Sequence, residues 1–72
     1  MTYGELRELA AEIVEIANGV VGLGIQQRIA EQTVLNIYTA AGAGEEGLAA
    51  VERCIAEWRA TAEKEAAALN AA

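Results

Sequence analysis

The residues best spaced for chemistry are three glycines. Gly42-Ala43-Gly44-Glu45-Glu46-Gly47 fits G-x-G-x-x-G letter for letter. In a dinucleotide-binding unit that spacing lets backbone N–H groups approach a pyrophosphate at a helix N-terminus. The flanks strengthen the match. "TVLNIY" (33–38) upstream is rich in β-branched and aromatic residues, and "LAAVERCIAEW" (48–58) downstream has a helical composition. The rest of the unit is missing. No second strand pattern follows. Glu63 and Glu65 stand at a plausible distance for a ribose-binding acid, but inside a continuing helical pattern. Glu45 and Glu46 would repel a phosphate at the same helix start. A helix C-cap followed by a turn accounts for the same glycines, although the sequence leaves open whether 42–47 is a turn or a kink.

A second candidate is Cys54, the only cysteine. With no His and no Ser in the chain, neither a Ser-His-Asp nor a Cys-His arrangement can be built. Arg53 neighbours Cys54 in sequence, but adjacent helical residues point about 100° apart, so the guanidinium does not face the sulfur. One Cys without His also excludes a zinc site. Cys54 is expected to be a small packed residue, and no catalytic residue, cofactor or metal is expected.

The third candidate is a run of carboxylates. Glu5, Glu8, Glu12 and Glu15 repeat at 3-4-3 spacing and form an acidic stripe along one helix. Carboxylate-bridged metal sites in bundles use Glu-x-x-His pairs on facing helices, and the His is absent. What remains is a solvated face or a surface for a basic partner.

Three helical segments must position these residues. Residues 3–18 carry Leu6, Leu9, Ile13, Ile16 and Val20 on one face. Thr2 and Glu5 have the form of a capping box, and Asn18-Gly19 supplies a stop. "GVVGLG" (19–24) follows. It lacks the Lys and Ser/Thr of a phosphate loop, so a turn is expected. Residues 23–41 place Leu23, Ala30, Val34, Ile37, Tyr38 and Ala41 on one side, with Ile25 and Ile29 alongside. Residues 33–38 could also form a strand, but length and composition favour helix. Residues 45–70 carry Leu48, Val51, Ile55, Trp58, Ala62 and Leu69 at heptad-like spacing. Trp58 reads as core, or else as an interface anchor.

Totals set the bounds. The chain has 72 residues and suits one small helical domain over 1–72. It has no Pro, Ala is its commonest residue and every acidic residue is Glu, and both are strong helix formers, which favours an all-α fold: a three-helix bundle or extended helical hairpin with a long C-terminal helix. A core of this size supplies roughly 3–5 kcal/mol, and no disulfide can add to it. Net charge is −6 with five scattered basic residues, which argues against direct contact with nucleic acid. No secretory signal or membrane span is visible, so a cytoplasmic location is expected.

Lengths carry the main expectation. The third helix would span roughly 39 Å against roughly 24–28 Å for the others. From about Ala60 it should overhang, offering Ala62, Ala66 and Leu69 to a second copy, with Trp58 and Tyr38 as further interface candidates. The leading expectation is a non-enzymatic, self-associating interaction or assembly subunit, of the kind found as small accessory proteins in phages and bacteria. The alternatives are an acidic inhibitor or decoy that holds a basic, nucleic-acid-binding protein on the Glu5/Glu8/Glu12/Glu15 stripe, and a small-ligand binder at a subunit junction.

Overall fold

The computed structural model describes residues 1–21 and 25–71, the side chains of Val20 and Val21 excepted. Helix α1 is Tyr3–Ile16, α2 is Gln27–Ala40 and α3 is Gly44–Ala71. Among the described residues there is no strand, so the Val- and Ile-bearing stretch at 33–38 is helical. The side chain of the expected member Val20, together with Leu23 and the glycines at 22 and 24, lies outside what is described.

The capping box at Thr2 forms as the sequence implies. The Glu5 N–H donates to Thr2 Oγ1 at 3.1 Å, and the Thr2 N–H donates to Glu5 Oε1 at 3.3 Å. The stop expected at Asn18-Gly19 does not occur. Ala17 stays in the right-handed helical region, with its N–H shared between the Ile13 and Val14 carbonyls. The chain then widens into a π-turn over Ala17–Val21. Glycine permits a left-handed stop but does not demand one. Here the widened turn keeps Ala17 buried beside Ile16.

The three helices run up, down and up. Gln27 Nε2, at the start of α2, donates to the Arg7 carbonyl at 3.1 Å. Tyr38, near its end, meets the Met1 amine at 3.2 Å. So α2 is antiparallel to α1. Helix α3 then runs alongside α1 in the same direction: Leu48 and Glu52 lie by Glu5 and Glu8, and Ala62 and Glu63 lie by Ile16 and Gly19. Every helix touches the other two.

One apolar cluster holds them together: Leu6, Ala10, Ile13 and Ile16 from α1, Ala30 and Val34 from α2, and Val51, Ile55 and Ala62 from α3. The sequence stripes supply most of it, and Ala10 is the addition. The core is thin, because Val34 and Val51 are its largest fully buried side chains. Trp58 is not part of it, with 39% of its surface exposed. On the helical wheel Trp58 lies at the edge of the α3 stripe, about 60° from Ile55 and about 40° from Ala62.

The overhang is real but shorter than expected. At 28 residues α3 is about 42 Å long, against about 21 Å for the 14-residue α1 and α2. The molecule measures 43 × 21 × 16 Å, so α3 alone sets its long axis. The π-turn extends α1's cover along α3, however. Ala62 is therefore only 3% exposed and packs within its own chain, which removes it as a free contact for another molecule. Ala66 is half-buried, and from Ala67 to Ala71 every residue is exposed.

Candidate functional site

The glycine motif builds a corner between α2 and α3. Gly42, Ala43 and Gly44 all have positive φ, at 99°, 59° and 58°. The Gly42 N–H donates to the Thr39 carbonyl at 3.1 Å and the Ala43 N–H to the Tyr38 carbonyl at 2.9 Å. These are the paired bonds of a Schellman helix end. The Gly44 N–H donates to the Tyr38 hydroxyl at 3.0 Å. All three N–H groups that would face a phosphate are thus spent inside the chain, and the segment before them is a helix. The motif is a turn, not a kink, and its geometry is that of a helix cap.

Tyr38 is the hub of that corner. Its hydroxyl accepts from both the Gly44 N–H and the Met1 amine. The Met1 ammonium pulls the phenol below its usual range, and the phenol in turn raises the amine. Gly47 is buried against the Tyr38 ring and backbone, and an added Cβ there would stand 2.6 Å from the Tyr38 carbonyl oxygen. Tyr38, proposed from sequence as an interface residue, is half-buried and bonded within its own chain.

The acidic stripe is arranged along the seam between α1 and α3. Glu5, Glu8 and Glu12 share a cleft there with Glu52 and Leu48. Glu63 joins further along, beside Arg59. Arg59 reaches Glu12 at 3.6 Å, the only ion pair among the described residues, and both side chains are nearly half exposed. Such a pair adds little stability. Glu15 lies beyond it, near Gly19 and Glu63. The sequence showed half of this surface; Glu52 and Glu63 arrive from the other helix. No cluster of three His, Cys, Asp or Glu among the described residues has a metal-holding arrangement.

An apolar hollow lies toward the other end of the molecule, away from the Tyr38 corner. It is a groove of about 320 Å³. Ile13, Ile16 and Ala17 form one wall and Ile25 and Thr33 another. Trp58, Thr61, Ala62 and Glu65 complete it from α3. The Thr33 hydroxyl donates to the Ile29 carbonyl at 2.9 Å, so its proton is not offered to the groove. Glu65 is the single charged residue on the lining. This surface can bury apolar groups, and it sets no nucleophile against a base. Cys54 is half-buried elsewhere on α3.

No helix among the described residues is long and apolar enough to cross a membrane. The fold and site together define an all-α, bundle-like chain with an acidic seam and an apolar groove. Set against protein-family models, curated proteins and solved structures, the chain matches none.

Proposed function

We propose that this chain is a non-enzymatic helical subunit that works by associating with copies of itself. The observation that carries the reading is the groove rimmed by Trp58, a large aromatic left 39% exposed beside an apolar hollow. Half-exposed tryptophans beside pockets are the residues on which protein interfaces most depend. The thin core adds weight. Four of the ten buried apolar residues are alanines. A small domain with so little buried area gains from covering more of it in an oligomer. Light scattering at two concentrations, in low and in high salt, tests the reading. Apolar self-association persists in high salt. A strict monomer under all four conditions overturns it.

A second reading draws on the acidic seam. Glutamates from α1 and α3 gather there around a single arginine, which suits capture of a basic protein surface. Such a complex would weaken steeply as salt rises.

A further inference from the structure

Resting on the self-association reading, we propose that the second copy docks antiparallel along α3, with the partner's Leu69 seated in the groove against Trp58. Trp58 and Leu69 are eleven residues apart, about three turns, so they lie on one face of α3. Thr61 and Glu65 fall between them on the same face. Trp58 borders a hollow, whereas Leu69 is a knob, 74% exposed on the overhang. A two-fold axis across α3 between Glu63 and Lys64 exchanges the two positions, placing each Leu69 at the other copy's groove. The surface is then self-complementary, as a two-fold interface requires.

Charge selects the same arrangement. Each copy carries −6, so a second copy meets repulsion at the acidic seam, while the groove face presents only Glu65. The stripe from Trp58 to Ala71 is roughly 20 Å long. A standard interface covers about 800 Å² per partner, roughly a sixth of this molecule's 4851 Å². A stripe this short covers less, which places the dimer among weak, reversible associations. Glu65 comes level with the partner's Ala62, and the two Glu65 carboxylates flank the axis, which holds the affinity down.

Trp58 is the only tryptophan, so its fluorescence reports the groove directly. As the protein is concentrated through the micromolar range, emission should move to the blue in step with the mass from light scattering. Leu69→Lys should keep full helicity, because Leu69 is 74% exposed in its own chain, yet weaken association roughly tenfold or more. Glu65→Gln should tighten it several-fold. A dimer that forms equally well with Leu69→Lys, or that leaves Trp58 emission unmoved, overturns this geometry while self-association stands. A chain monomeric at every concentration overturns both.

Discussion

Replacing Gly47 by alanine puts two opposed effects on one residue. Gly47 sits in the first turns of α3, where alanine ordinarily stabilises a helix by about 0.5–1 kcal/mol. The added methyl, however, would stand 2.6 Å from the Tyr38 carbonyl oxygen and 2.7 Å from the Tyr38 ring. Ordinary contact begins at 3.4 Å. The ring could turn aside, but the carbonyl cannot, because it accepts the Ala43 N–H at 2.9 Å and so closes the corner. Either α2 and α3 separate or that bond is lost. Forcing a methyl into a packed site costs about 1–3 kcal/mol, so the net effect should be a loss of about 1–2 kcal/mol. For a chain of this size that lowers Tm by roughly 5–10 °C. Gly4→Ala is the matched control, since its nearest neighbour is Thr2 Oγ1 at 3.9 Å. Thermal melts followed by circular dichroism at one fixed protein concentration would compare the two. Gly4→Ala should be neutral or stabilising. If Gly47→Ala also stabilises, the close approach of α3 to Tyr38 is wrong.

Ala43 is a non-glycine residue held at φ 59°, so Ala43→Gly should raise stability by about 0.5–1 kcal/mol, read from urea midpoints. Thr2→Ala should cost about 1 kcal/mol in the same assay, because it removes the Thr2 hydroxyl that accepts the Glu5 N–H, while the Thr2 N–H can still donate to Glu5. In an alkaline absorbance titration, one tyrosine should ionise below the ordinary value of 10.0, and acetylating the Met1 amine should return it upward. The amine's folded value is raised above 8.0, so its contribution to stability is complete below pH 8 and fades as pH climbs past the raised value. The phenol's folded value is lowered, so its contribution grows above that value and would be lost again as pH falls through it.

Much of the fold was legible because its causes are local. The 3-4 spacing of Leu6, Leu9, Ile13 and Ile16 found α1, and Thr2 with Glu5 marked its start. The glycines at 42 and 44 found the corner as a helix end. Other features depend on what stands opposite. Ala10 is buried among Leu6, Ile13 and the facing helices although no stripe included it, and alanine carries no sign of that in sequence; Ala62 stood on the stripe, but its cover by its own chain did not show. Trp58 lies on the heptad stripe and yet leaves the core, because it stands at the stripe's edge, about 60° round α3 from Ile55, while Ala62 further along stays inside. The π-turn that lengthens α1 and covers Ala62 has no local signature in Ala17–Val21. The groove was therefore not legible in the sequence, while its rim residue was.

The Tyr38 corner also bears on the order in which the molecule assembles. Apart from the long-range bond from the Met1 amine to the Tyr38 hydroxyl, its bonds join residues at most six apart within 38–44, and Gly47 packs against Tyr38 only nine residues away. Closing so short a loop costs little entropy, so the α2–α3 hairpin can form before α1 finds its place. Refolding rates should then fall for substitutions at Gly47, whereas changes at Ile16, where α1 meets the groove, should chiefly hasten unfolding. The half of the molecule that bears Trp58 and Leu69 would be in place first, with α1 arriving last to finish the groove's wall.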